Sequence, residues 1–288
     1  MDQRHRTKTL KLTALSLVAL FVLAGCSSTR MAYRYADWGV VWWVEDYVTL
    51  SRAQKQQLNQ DLDSLRQWHC STELPRYRAW LDELEADIAD GAPDIHTIEY
   101  HQQQLLVFVP DLLDRAVPVA VNLLASLSDD QVTELARNMA EDQAELEQEM
   151  LAGDPQQTAK ARAERTAKRV ERWLGSLNGQ QQALVEEWSA DRGQQTEIWL
   201  QGRKNWQQTL LETMEGRDQP GFDEAIRELV INSENARGPE YQAMMRESQQ
   251  AMANLMYALI KAGDQQHREH LQARASKLNQ DFTALTCS

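Results

Sequence analysis

Leu50-Ser51-Arg52-Ala53-Gln54 reads as the opening of a helix. Ser51 stands at the N-cap and Gln54 three residues on, where each side chain can take the other's backbone N–H, a capping box. Leu58, Leu62 and Leu65 follow on one face of a 3.6-residue period, so this helix has a side to bury. The same grammar returns at Leu127-Ser128-Asp129-Asp130-Gln131 with Leu135, and at Leu177-Asn178-Gly179-Gln180-Gln181 with Val185. A weaker copy has Asp264 as cap, His267 at N3 and Leu271. In all four the apolar residue falls two turns into the helix. The intervals between copies are irregular, so this is repeated capping and not a solenoid period.

Breaks between these starts are equally legible. Leu74-Pro75 ends the first long helix, and 76–90 forms another with Tyr77, Trp80, Leu81, Leu84 and Ile88 on its buried side, closed by Gly91-Ala92-Pro93. The segment 105–127 is the most apolar after the amino-terminal run, interrupted by Pro110 and Pro118 and carrying Asp111, Asp114 and Arg115. It reads as a buried core helix or a kinked pair, not a membrane span. Further helices are expected from 128 to 151, to Leu174, from 178 to 214, to about Val230, and over 240–262 and 264–285. Gly216 to Gly221 is the best linker candidate, marking a sub-boundary near 216–221. No period-two alternation of β-branched residues appears. With only 12 Gly and 7 Pro in 288 residues, the composition is helix-forming. The expected fold is all-α, a multi-helix antiparallel bundle of roughly nine or ten helices.

The amino terminus has a different logic. Arg4, Arg6, Lys8 and Lys11 precede an apolar run from Leu12 to Leu23, which ends in Leu23-Ala24-Gly25-Cys26. This is the arrangement of a cleaved export signal, and the run is shorter than the about 20 residues a membrane-spanning helix needs. The last four residues resemble the lipobox of bacterial lipoprotein precursors. That resemblance implies cleavage between Gly25 and Cys26, lipidation of the Cys26 sulfur and acylation of the new amino terminus. Ser27, where inner-membrane lipoproteins usually carry Asp, favours the outer membrane. The expected organisation is a signal peptide over 1–25, a lipidated tether over 26–30 and one helical periplasmic domain over 31–288.

The whole chain carries a net charge of −13, and the first 25 residues are net positive, so the remainder stands at −16. A chain this acidic is not expected to bind nucleic acid, which requires a basic face. Cys70 and Cys287 are the two other cysteines, and in an oxidising compartment they are expected to pair.

Tyr33, Tyr35, Trp38, Trp42, Trp43 and Tyr47 form the densest aromatic stretch in the chain. Tyr35, Trp38 and Trp42 follow i, i+3, i+7 on one helical face. Two readings compete: a helix lying at the headgroup level of a bilayer, where Trp and Tyr are enriched, or a core stripe. Asp37, Glu45 and Asp46, repelled by anionic headgroups, favour the core.

Candidate chemistry is sparse. His267 and His270 are spaced to share a metal, but zinc requires three or four ligands and no third is evident. His96 and His101 do not share a face. Glu141, Asp142, Glu145, Glu147 and Glu149 form an acidic helix face expected to be solvated. No phosphate-binding glycine loop, nucleophile elbow or HExxH occurs, so neither catalysis nor a cofactor is expected. Arg162, Arg165, Lys168, Arg169 and Arg172 make a basic stripe in an acidic chain. It reads either as a salt-bridged surface helix or as a docking strip for headgroup phosphates or an acidic partner.

Ala32-Tyr33-Arg34-Tyr35-Ala36-Asp37-Trp38 through Trp42-Trp43 to Asp46-Tyr47-Val48-Thr49-Leu50, with Glu73-Leu74-Pro75-Arg76-Tyr77, Trp80-Leu81-Asp82-Glu83-Leu84 and Glu171-Arg172-Trp173-Leu174, resembles a family of Gram-negative lipoproteins of unknown function. The resemblance implies location and fold, and no activity. The Leu-Ser-x-x-Gln copies at Leu50 and Leu127 are similar to the Leu-Thr-x-x-Gln signature of helical periplasmic chaperones, stress sensors and lipase foldases, with Ser in place of Thr. The expectation is a lipid-anchored protein on the periplasmic face of the outer membrane, acting through protein or envelope contacts on an unidentified partner. A chaperone or foldase-like protein is the alternative.

Overall fold

A computed structural model describes residues 28–285, and among them every regular element is helical. The order is α1 (Ser28–Arg34), α2 (Ala36–Glu45), α3 (Arg52–Trp68), a π-helical turn (His69–Glu73), α4 (Leu74–Asp90), α5 (Ile95–Ala125), α6 (Asp129–Met150) and α7 (Pro155–Leu174). It continues with α8 (Gly179–Ala190), α9 (Gln195–Met214), α10 (Phe222–Ile231), α11 (Ser233–Arg237), α12 (Pro239–Lys261) and α13 (Gln265–Thr283). The fold is the expected all-α bundle, divided into more segments than the sequence suggests.

Three boundaries differ, each for a local reason. Leu74-Pro75 does not end a helix. The Leu74 N–H bonds back to the carbonyl of His69, so the chain absorbs one extra residue in a π turn. Pro75 falls in the first turn of α4, where its missing N–H and fixed φ are tolerated. Pro110 and Pro118 lie within one continuous helix, α5. The stretch 178–214 is split at a turn in which Gly193 takes a φ of +48°, left-handed backbone that suits a residue without Cβ.

The α3, π-turn and α4 rod runs antiparallel to α5 along its whole length. Gln54 Nε2 donates to the Ser126 carbonyl at 2.8 Å, and Asn122 Nδ2 to Asp61 at 3.0 Å. The Arg115 guanidinium lies 5.8 Å from the Trp68 ring centre, Arg76 meets Asp111 at 2.7 Å, and the Tyr100 hydroxyl donates to Glu83 at 2.9 Å.

All four expected capping boxes form, at Ser51, Ser128, Asn178 and Asp264. A fifth, Asp154 with Gln157, starts α7 after the break at Gly153. Leu58, Leu135 and Val185 are buried two turns beyond their caps. The caps also meet in pairs. Gln54 Nε2 donates to the carbonyl of Ser126 and Gln131 Nε2 to that of Thr49, both at 2.8 Å, so each side chain serves the residue two before the other's cap. In the second pair Asn178 Nδ2 donates to the Ala262 carbonyl at 3.0 Å, and His267 Nε2 stands 3.1 Å from that of Ser176.

A hydrophobic cluster accompanies each pair. Leu50, Leu127, Leu135, Met139, Leu210, Met214, Phe222 and Ile226 belong to the first, and Leu174, Leu177, Val185, Leu255 and Leu259 to the second. The first spans the 216–221 turn, with Met214 on one side and Phe222 on the other, and Arg217 Nε donates to the Leu127 carbonyl at 2.9 Å. Residues on both sides of that turn therefore share one cluster.

Candidate functional site

α2 presents its aromatics outward. Tyr35, Trp38, Trp42 and Trp43 are 55 to 67% exposed, and no residue of the helix is buried. This corrects the core reading. The i, i+3, i+7 arithmetic finds one face, but the face turned inward is the β-branched one: Val41 and Val44 pack on the first cluster with Tyr47. Tyr47 is locked there, its hydroxyl donating to Asp142 at 2.8 Å and its carbonyl accepting from Asn138 at 2.8 Å.

The acidic neighbours are partly engaged. Asp37 accepts the N–H of Trp38 at 2.8 Å, and Glu45 pairs with Lys55. Tyr33 and Arg30 hold α1 to the body. The Tyr33 hydroxyl lies 3.3 Å from the Arg66 carbonyl and 3.1 Å from His69 Nδ1, and Arg30 meets Asp281 at 3.3 Å. Burial pushes the Tyr33 hydroxyl above its usual pKa, with Arg66 opposing, and pushes the His69 imidazole below its own.

A second apolar surface lies on α5. Leu105, Leu106, Val107 and Val109 are exposed, whereas the sequence predicts a buried core segment there. Phe108 alone of this run turns in, to Tyr77 at 4.7 Å between ring centres. On either side of it α5 is covered: Gln102 donates to the Gln249 carbonyl on α12 at 3.0 Å, and Asp114 pairs with Arg227 on α10.

The basic stripe divides. Arg162 is 8% exposed and donates to the Ser189 carbonyl at 2.9 Å, the Thr196 hydroxyl at 3.0 Å and the Gly193 carbonyl at 3.4 Å. It ties the α8–α9 turn to α7 and cannot serve as a docking residue. Burial lowers its pKa, with the Glu197 carboxylate opposing. Lys168, Arg169 and Arg172 are exposed and Arg165 is half-buried.

His267 uses both ring nitrogens inside the fold, Nδ1 at 2.6 Å from Asp264 and Nε2 on the Ser176 carbonyl. It borders an open polar cleft of about 290 Å³ with His270 and Glu269. His101 pairs with Asp87 at 2.8 Å. On the acidic face the partly exposed Asp142 is bound by Tyr47 and Arg203. Among the described residues no group of three His, Cys, Asp or Glu is placed to hold a metal ion, and no helix is long and apolar enough to cross a membrane. Cys70 is buried in the π turn and disulfide-bonded. Cys287, Gly25, Cys26 and the segment 1–24 expected to belong to a signal lie outside the described residues.

Among the described residues the fold is all-helical, and most of the exposed large apolar side chains gather on α2 and α5. The chain belongs to a family of unknown function, DUF6279, whose model matches residues 46–242. The match begins just beyond α2, so the outward aromatics precede it. No curated protein and no solved structure matches the chain.

Proposed function

We propose that this is a lipid-anchored protein of the periplasmic face of the outer membrane, which acts through protein or envelope contacts and not by catalysis. The observation that carries the reading is the exposed apolar surface of α2, which begins one short helix after the lipobox cysteine. Exposed apolar patches on soluble domains mark contact sites. Lipid chains on Cys26 would supply the anchor, each buried methylene contributing about 0.8 kcal/mol.

Two measurements test it. Labelled palmitate should enter the wild-type chain and not Cys26→Ala. In-cell photocrosslinking from positions 42, 106 and 165 should yield a discrete adduct with an envelope component at one of the three.

A chaperone or foldase-like role is the second reading, and Leu105, Leu106, Val107 and Val109 favour it, because an uncovered aliphatic run suits unfolded clients. Under that reading the crosslinks at 106 are a smear of many proteins, and the purified chain suppresses aggregation of unrelated proteins. Substituting Leu105 and Leu106 by serine removes both effects.

A further inference from the structure

We propose that the outward face of α2 is a bilayer-interface element that seats the domain side-on against the lipid to which Cys26 is attached. The proposal rests on the lipid-anchor reading and adds the surface that meets the membrane. Three observations converge on lipid as the occupant.

Reach is the first. α1 begins at Ser28, with only Ser27 between it and Cys26, and an extended residue spans no more than about 3.6 Å. Acyl chains on Cys26 therefore bring α1 to the membrane surface. α2 follows α1 after Tyr35 alone.

Side-chain chemistry is the second. The exposed ridge is Tyr35, Trp38, Trp42 and Trp43, with Met31 exposed one turn before it. Trp and Tyr, amphipathic rings with one polar edge, are the residues enriched at the headgroup level.

Charge is the third. Asp37 is turned to the Trp38 N–H and Glu45 to Lys55, and Asp46 follows the end of α2 remote from Cys26. Arg34 is exposed at the Cys26 end. Lys55 thus offsets the Glu45 carboxylate and Asp46 lies beyond the helix, which leaves Asp37 as an acidic side chain beside Trp38 in the ridge.

The seat has a fixed orientation. Tyr33 is held to Arg66 and His69, Arg30 to Asp281, and Val41 and Val44 to the first core cluster. α2 packs along α3, so the α3–α4 rod lies over the membrane and α5 is carried with it.

The test is quenching of tryptophan fluorescence in the full lipidated protein, reconstituted into vesicles of phosphatidylethanolamine and phosphatidylglycerol brominated near the top of the acyl chains. Quenching is expected in the wild type, and most of it should vanish in the Trp38→Phe, Trp42→Phe, Trp43→Phe triple variant. Trp173→Phe, a partly exposed tryptophan on α7, should keep it. The ridge side chains are more than half exposed, and at Trp43, whose ring meets Tyr47 at 5.4 Å, phenylalanine keeps an aromatic ring, so the triple variant retains its helical circular dichroism.

Equal quenching in wild type and triple variant overturns the proposal. So does a single discrete protein adduct from a photocrosslinker at position 42 in cells, which would make the ridge a protein interface. If palmitate does not label Cys26, the anchor reading fails separately. The ridge is then tested with the unlipidated chain and excess brominated vesicles, where absence of quenching overturns it.

Discussion

Gln54 and Gln131 hydrogen-bond to each other in both directions, Nε2 to Oε1 at 3.0 and 2.9 Å. Each Oε1 also accepts its own cap's N–H, from Ser51 at 2.9 Å and Ser128 at 3.0 Å. Each second N–H goes to the carbonyl two residues before the other cap. Both amides are thus fully satisfied, and two short motifs distant in the chain close one symmetric polar joint above Leu50 and Leu127. This joint accounts for the glutamines without a client-binding role.

The joint predicts non-additivity. Gln54→Ala and Gln131→Ala should each cost about 1–3 kcal/mol, because each strips partners from the other amide and from a helix start. The double variant should cost less than the sum by about 1 kcal/mol. Urea denaturation of the four chains measures the coupling. Additive losses would mean that the two glutamines act as independent caps.

Arg162 predicts a division within the basic stripe. Arg162→Ala leaves the Ser189 and Gly193 carbonyls and the Thr196 hydroxyl short of a donor at a helix end, at a cost of about 2–4 kcal/mol. Arg169→Ala, at an exposed position, should change stability by no more than about 0.5 kcal/mol. Thermal denaturation compares them. Equal effects would return Arg162 to the surface stripe.

The contrast between these sites shows what the sequence carries. Capping is local, so Ser51 with Gln54 and Ser128 with Gln131 could be read directly, and Leu58, Leu135 and Val185 followed by period. The pairing of caps was not legible, because it joins residues far apart in the chain. Helical spacing also leaves sidedness undetermined. Trp38 and Trp42 share a face with Tyr35, yet the decision between that face and Val41 with Val44 is made by the fit against α3. The same ambiguity affects Leu105 to Val109, which the apolar composition of α5 assigned to the core. Arg162 shares a helical face with Arg165, Arg169 and Arg172, and only the α8–α9 turn folding over α7 sets it apart.

His69 predicts acid sensitivity. Burial holds its imidazole below the ordinary value of 6.5, and the Glu73 carboxylate only partly offsets this. Tyr33, Trp68 and Tyr77 surround it. The unfolded chain then takes up a proton at about 6.5 while the folded chain does not, so the unfolded state binds more protons between the two values. Stability conferred by the neutral ring is complete above that ordinary value and declines as pH falls towards the folded one. A titration of the His69 ring followed by NMR should give a midpoint below 6.5. His69→Gln should flatten the corresponding slope in urea midpoints. A midpoint at or above 6.5 would remove the effect.

Cys70 predicts the state of both other cysteines. α13 packs along α4, bringing the Phe282 ring within 6.3 Å of Tyr77, and Leu285 leaves only Thr286 before Cys287. α1 reaches the same region through Arg30 and Asp281, and in the sequence only Ser27 separates α1 from Cys26. Chemistry separates the two: a Cys26 sulfur in thioether linkage to lipid cannot also form a disulfide. Digestion without reduction should therefore release a Cys70–Cys287 peptide pair, and no Cys70–Cys26 pair. The bond would close a loop spanning most of the chain, for which the chain-entropy model gives about 5 kcal/mol before strain. Cys287→Ala should accordingly lose about 2–4 kcal/mol in urea denaturation. A Cys70–Cys26 peptide would contradict both the pairing and the lipid anchor, since one sulfur cannot serve both bonds.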